Sequence, residues 1–174
     1  MASADNMKTL TLGFLTICGF ACLSAAEGRS PDQTAKLKEA LSHVLSCDCG
    51  NSAESAVFQE RAKLIHDAGS AIVPLLAELV ADQNMSPWFV GSAASTACQH
   101  PFSEELRNAL RLRRSDPRFQ HAPGGLFGIF DYFVAFGDRD DLKWMEMAVT
   151  KLSEERRPRV FKRIQKLQER LDQE

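Results

Sequence analysis

The chain contains 174 residues and carries 21 lysine and arginine residues against 23 aspartate and glutamate residues, a formal net charge of −2. The chain has no excess of basic residues of the kind that favours binding to nucleic acid, so its net charge does not indicate a class of binding partner. The length suits one domain that can bury an ordinary hydrophobic core without cross-links.

The N-terminus has the pattern of a signal peptide. One lysine, Lys8, precedes the uncharged run from Leu10 to Leu23, and the small residues Ser24-Ala25-Ala26 that follow fit a cleavage site. We expect cleavage after Ala26, which makes residues 1–26 the signal peptide and residues 27–174 the mature domain. The mature protein is then secreted or periplasmic.

Two further expectations concern this segment. Translation from Met7 in place of Met1 would give the signal a cleaner basic start. The apolar run of about 14 residues is shorter than the roughly 20 that span a bilayer, so no membrane span is expected after cleavage. The alternative is that Leu10 to Leu23 is the buried first helix of a cytosolic protein.

Signal cleavage changes the cysteine count. Cys18 and Cys22 leave with the signal, and Cys47, Cys49 and Cys98 remain. In an oxidising compartment the simple expectation for three thiols is one disulfide and one free thiol. Cys47 and Cys49 are too close in sequence to bridge each other without strain, so we expect Cys98 to pair with one of them.

The mature chain is predicted to be all-α, with about eight stacked helices, because no stretch alternates as a strand would. Ser30 can cap the first helix and Gln33 can reach back to it, as in a capping box. Gly69 supplies a left-handed stop to a second helix over residues 52–68, and Pro74 falls in the tolerant first turn of the third. The apolar face of the second helix is expected to hold Val57, Leu64, Ile65 and Ala68.

The fourth and fifth helices are predicted to begin at Ser86 and Ser103. The small residues from Gly91 to Ala97 would let a neighbouring helix approach the fourth closely, and residues 115–123 form the one substantial loop. Four arginines of the fifth helix and its end are expected to lie largely in water: Arg107, Arg111, Arg113 and Arg114.

The sixth helix follows Gly124-Gly125 and is apolar on every side, which places it at the centre of the core. Asp138 begins the seventh helix. The acid pairs Glu104-Glu105 and Asp140-Asp141 lie at helix starts, where they face the macrodipole favourably, and no other role is expected for them. The last helix is expected to bury Phe161, Ile164, Leu167 and Leu171.

The segment from Glu60 to Ala81 joins two helices through an Ala-Gly turn, and its second helix begins Ile72-Val73-Pro74-Leu75-Leu76. This segment resembles a HEAT-like repeat. The resemblance covers one unit, and the arginine-rich and phenylalanine-rich parts of the chain depart from it. It implies a scaffold of stacked α-hairpins that binds other macromolecules and has no catalytic residues.

His43, Cys47 and Cys49 are the most specific candidate site in the sequence, because all three side chains can bind a metal ion. A histidine and a cysteine four residues apart lie on one helix face, and a second thiolate follows just beyond. These ligands could bind zinc or copper(I), with His66 or His100 completing the set. The competing expectation is a disulfide, and a thiol-redox role is disfavoured because Asp48 would raise the thiol pKa.

Two basic clusters could form an anion-binding or partner-binding surface if the fold brings them together. The competing interpretation is a solvated face with local salt bridges to Asp116, Glu154 and Glu155. The first cluster holds Arg111, Arg113, Arg114 and Arg118, and the second holds Arg156, Arg157, Arg159 and Lys162, with Arg163 beside them.

Together these features predict an exported helical scaffold that binds a protein or polyanionic partner. A protein partner is expected, an anionic glycan or lipid head group is the alternative, and nucleic acid is not expected in that compartment. No residue set specifies a reaction, so no catalytic activity and no cofactor are inferred. The first alternative is a metal-binding or thiol-redox protein using His43, Cys47 and Cys49, and another is an enzyme whose site assembles only in three dimensions.

Overall fold

A computed structural model describes residues 29–46 and 55–174 of the chain, and within these ranges the secondary structure is helical, with no strand. The all-α prediction is therefore confirmed. The expected signal peptide, Cys47 and Cys49 lie outside the described residues. The α-helices are α1 (Pro31–Ser46), α2 (Ala56–Ala68), α3 (Val73–Ala81), α4 (Pro87–Ala97), α5 (Glu104–Arg113), α6 (Gly124–Phe136), α7 (Arg139–Val149) and α8 (Arg157–Leu171), and two 3-10 helices span Gly69–Ile72 and Pro117–Gln120.

The helix starts follow from local side-chain capping. Ser30 and Gln33 exchange hydrogen bonds between side chain and backbone at the start of α1, and the hydroxyls of Ser86 and Ser103 accept N–H groups at the starts of α4 and α5. Gly69 ends α2 with a φ of 55°, which favours glycine because a Cβ is disfavoured there. These predicted boundaries are confirmed.

The core is built around α6, as predicted. This helix buries Ile129, Phe130 and Phe133 completely, and it packs on α4 more extensively than any other helix pair in the described ranges. The small residues of α4 make this possible, because a Cβ at Gly128 would overlap the carbonyl group of Gly91. The expected packing role of the small-residue run is confirmed.

Two apolar faces differ from the prediction. On α2, Val57 and Leu64 are exposed and no residue is buried, because among the described residues this helix packs mainly on α1. On α8, Val160, Ile164 and Leu167 face inward. Phe161 is one position away from that stripe and is 54% exposed, so its predicted burial is wrong.

The stretch Ala56–Ala81 is helical throughout and is long and apolar enough to cross a membrane by length and composition alone. Ile72, Leu76 and Val80, in the second half of the stretch, are buried, whereas no residue of α2 is. The stretch includes the segment that resembles a HEAT-like unit. Within it α2 packs on α1 and α3 packs on α5, and the family assignment stays a prediction.

Candidate functional site

A groove of about 710 Å³ lies between the loop that joins α5 to α6 and the end of α7 with the turn that follows it. We call it the basic groove. Its apolar surface includes Phe119, Leu126, Trp144, Met147 and Leu152, and its cations are Arg114, Lys151 and Arg156.

The basic groove brings together one member of each predicted basic cluster. Arg114 comes from the first cluster and Arg156 from the second, and Lys151, which the sequence analysis did not single out, joins them. Asp116 is the only carboxylate in the lining, so the three cations leave a local charge of 3 − 1 = +2. The whole chain carries a net charge of −2, so the local charge of the groove is opposite in sign to the net charge of the protein.

Arg113 does not lie in water as expected, because it is completely buried. Its guanidinium donates hydrogen bonds to the carbonyl oxygens of Val80, Asp82 and Met85, and it pairs with Asp116 at 3.1 Å. The carbonyls at the end of a helix lack partners within it, and the fork of five N–H donors on arginine suits several of them at once. Arg113 therefore fastens the end of α3 to α5 and is not available to an external anion.

The expectation of solvated side chains is also wrong for Arg111 and Arg114, because both bind the fully buried Asp141 on α7. Arg111 donates two hydrogen bonds of 2.8 Å to this carboxylate, and Arg114 donates one of 3.0 Å. The hydrogen bonds that Arg111 donates to Asp141 raise the pKa of Arg111, despite the opposing effect of burial. Asp141 is thus an internal anchor as well as a residue at a helix start.

This anchor positions Arg114 at the groove. Its Cζ lies 5.4 Å from the ring centroid of Trp144, a geometry for cation–π attraction. Trp144 in turn packs against the rings of Phe130 and Phe133, at centroid distances of 5.4 and 5.7 Å. The wall formed by Arg114 and Trp144 is therefore held in place before any ligand arrives.

Arg118 is also engaged within the protein. It pairs with Asp116 at 2.7 Å and donates a further hydrogen bond of 2.6 Å to the carbonyl oxygen of Gln83. Its hydrogen bonds hold the pKa of Asp116 at about 2, well below the ordinary 3.8. This is the local salt bridge to Asp116 that the competing interpretation of the basic cluster expects.

In the second cluster, Arg157 donates hydrogen bonds to the carbonyl oxygens of Leu152 and Thr150, which shapes the turn beside the groove. Arg163 pairs with Asp131 at 2.6 Å. Arg159 and Lys162 are exposed on α8, and neither lines the groove.

Lys151 and Arg156 differ from these residues. Both are exposed, and neither side chain has a hydrogen bond or ion pair with any residue in the described part of the chain. They are therefore the cations at the groove that remain available to a ligand. The sequence signal for them was weak: they flank a short charged turn, where position alone does not distinguish a site from a solvated segment.

The predicted metal and disulfide sites are only partly visible. His43 lies on α1 with its Nδ1 buried and without a hydrogen-bond partner in the described ranges, but Cys47 and Cys49 lie outside them. No group of three metal-ligating residues occurs among the described residues, and His66 and His100 join none.

Cys98 is a free thiol in the structure. Its Sγ donates to the carbonyl oxygen of Ala94 at 3.4 Å, and burial, assisted by the charge of Asp131, raises its pKa to about 11. A thiol with this pKa is a poor nucleophile at neutral pH. The disulfide with Cys47 or Cys49 stays a prediction.

No protein-family model matches the chain, and no curated protein or solved structure shows a significant match to it.

Proposed function

We propose that the protein is an exported helical interaction module that binds an anionic partner in the basic groove. The observation that carries this proposal is that Lys151 and Arg156, two cations without a partner among the described residues, lie beside an apolar surface and the fixed guanidinium of Arg114. Export is supported by the signal-like pattern of residues 1–26.

The two kinds of surface in the groove contribute differently to binding. Unpaired cations attract an anionic partner and make the association sensitive to salt. Apolar contacts supply affinity that salt does not screen, because their contribution depends on the area removed from water. A site with both properties suits a partner that has negative charge and an apolar part.

No reaction is proposed for the groove. Its lining contains no histidine or cysteine, and its one carboxylate, Asp116, is paired with Arg113 and Arg118. A carboxyl group with a pKa of about 2 is a weak general base at neutral pH. The groove therefore has the chemistry of a binding site.

The proposal is tested by charge reversal with a matched control. The groove variant carries Lys151→Glu and Arg156→Glu, and the control carries Arg159→Glu and Lys162→Glu. All four residues are exposed, and both variants change the net charge equally. Melting curves from circular dichroism verify that each variant is folded.

The ligands are an acidic peptide, a sulfated oligosaccharide and vesicles of anionic phospholipid, each titrated by isothermal calorimetry at two salt concentrations. We expect at least one of them to bind with salt-dependent affinity, and the groove variant to lose about tenfold or more while the control keeps its affinity. Equal losses in both variants would show that diffuse charge is responsible and would overturn the proposal, as would the absence of any binding.

A further inference from the structure

We infer that the ligand of the basic groove is an acidic peptide segment of a partner protein that also carries a large apolar side chain. This inference rests on the proposed function and specifies its ligand. Its starting point is the juxtaposition of unpaired cations from the α7–α8 turn with a preformed aromatic and aliphatic surface.

The apolar surface is suited to a side chain of a peptide. Phe119, Leu126 and Leu152 are buried in the protein and form firm walls, whereas Met147 is 62% exposed at the groove. Methionine is flexible and adapts its shape to different apolar partners. A phenylalanine or leucine side chain placed here would cover Met147 and contact the walls.

Arg114 is suited to a carboxylate of the same segment. The one hydrogen bond of its guanidinium within the described residues is the bond from Nη1 to Asp141, so most of the five N–H donors of the side chain have no partner there. Arginine and a carboxylate can form two parallel hydrogen bonds. Because Asp141 and Trp144 already hold the guanidinium in place, little conformational entropy is lost when it binds.

Asp116 limits where the acidic residues of the peptide can lie in the groove. It lies in the loop between α5 and α6, whereas Lys151 and Arg156 lie in the turn between α7 and α8. A carboxylate placed next to Asp116 would meet a like charge. We therefore expect the acids of the ligand beside the turn and a neutral residue beside the loop.

Two other anionic ligands fit the groove less well. A sugar chain would find polar partners such as Ser115, Gln120 and Ser153 on part of the lining, but its hydroxyls would lose hydrogen bonds with water over the aliphatic side chains of Leu126, Met147 and Leu152. A vesicle surface could place head groups at Lys151 and Arg156 but would not enter a concave groove. A peptide segment can satisfy both surfaces, because its acidic side chains can pair with Lys151 and Arg156 while an apolar side chain enters the groove, whose volume of about 710 Å³ lies within the range of about 300–1,000 Å³ typical of ligand pockets.

The test uses two octapeptides that alternate glutamate with phenylalanine or glutamate with serine, together with phosphatidylglycerol vesicles and a heparin oligosaccharide. Binding is followed by the fluorescence of Trp144 in a Trp88→Phe chain, since these are the two tryptophans present. We expect the phenylalanine peptide to bind about tenfold more tightly than the serine peptide, because it buries aromatic area in the groove.

Substitutions at single apolar residues localise the effect. Met147→Ser should weaken the phenylalanine peptide about threefold or more and leave the serine peptide unchanged. Leu112→Ser is the matched control, because Leu112 is 75% exposed and does not line the groove, and it should change neither affinity.

The outcomes separate this inference from the proposed function. If both peptides bind equally and the Lys151→Glu, Arg156→Glu variant loses both, the groove binds anions but the requirement for an apolar side chain is overturned. If vesicles or heparin bind more tightly than the phenylalanine peptide through the same residues, the ligand class is wrong. If no ligand depends on Lys151 and Arg156, both proposals fail.

Discussion

Replacing Asp141 with asparagine should destabilise the fold substantially. Asp141 is 0% exposed and accepts hydrogen bonds from Arg111 and Arg114 at 2.8–3.0 Å, so the change leaves two guanidiniums without their shared carboxylate. Breaking a buried ion pair in this way costs about 3–5 kcal/mol. We expect the low end, about 3 kcal/mol, because Arg111 retains Asp138 at 2.6 Å and both arginines are partly exposed. In a domain of this size that corresponds to a fall in Tm of about 6–12 °C.

The preceding residue provides the control. The side chain of Asp140 is 78% exposed and pairs with the equally exposed Lys143 at 3.3 Å, so Asp140→Asn should cost less than about 1 kcal/mol. Both acids lie in the first turn of α7, and an effect of the macrodipole alone would make the two substitutions equivalent, at about 0.3–1 kcal/mol each. Urea unfolding followed by circular dichroism at constant pH and salt measures both. Unfolding free energies of the two variants within 0.5 kcal/mol of each other would refute the role assigned to Asp141.

Three other predictions concern packing, pH and processing. Gly128→Ala should lower the unfolding free energy by about 1–3 kcal/mol, because the added methyl group overlaps the backbone of α4. Gly124→Ala should cost less, because its methyl group meets the outer ring atoms of Trp88. Equal thermal stability of the two variants would contradict this prediction. Because the pKa of Asp116 is about 2 in the fold against an ordinary 3.8, its stabilising effect is complete only above about pH 5 and is lost as the pH falls through about 2. Urea unfolding measured from pH 5 to pH 2 should therefore show a smaller fall in the free energy of unfolding for Asp116→Asn than for the unsubstituted protein, by roughly 1–2 kcal/mol. The same fall in both proteins would exclude this role for Asp116. Mass spectrometry of the exported protein should show an N-terminus at Glu27, and a retained 1–26 segment would contradict the signal peptide.

The helix boundaries could be predicted because their causes are local. The hydroxyl of Ser103 accepts the N–H of Leu106 three residues later, so both members of the cap lie within one short stretch of sequence. The close packing of α4 on α6 was also foreseeable from composition, because a run of small residues has few other uses in a buried helix. The partner of that run was not foreseeable, since Gly91 and Gly128 are far apart in the chain and only the fold brings their backbones together.

The arginines of α5 show why the site was harder to predict. Arg113 follows Leu106 and Leu110 at the spacing of the buried stripe, so the helical period already placed it inward. Arg113 was nevertheless predicted to lie in water because it is charged, although its position in the helix is on the buried stripe. For Arg111 and Arg114 no comparable signal exists, because their partner Asp141 lies 27–30 residues away in sequence.

The location of the available charge follows from these pairings. The first basic cluster contains more arginines than the groove uses, but Asp116 and Asp141 engage all four of them inside the fold. A carboxylate paired with an arginine weakens the electrostatic field of that arginine at a distant anion. The number of basic residues near α5 in the sequence therefore overstates how strongly this region attracts an external anion. Lys151 and Arg156 lack such carboxylates in the described ranges, and they lie where the apolar groove opens. The groove cations without a partner in the described ranges are therefore Lys151 and Arg156, whereas Arg114 is held in place by Asp141 and Trp144.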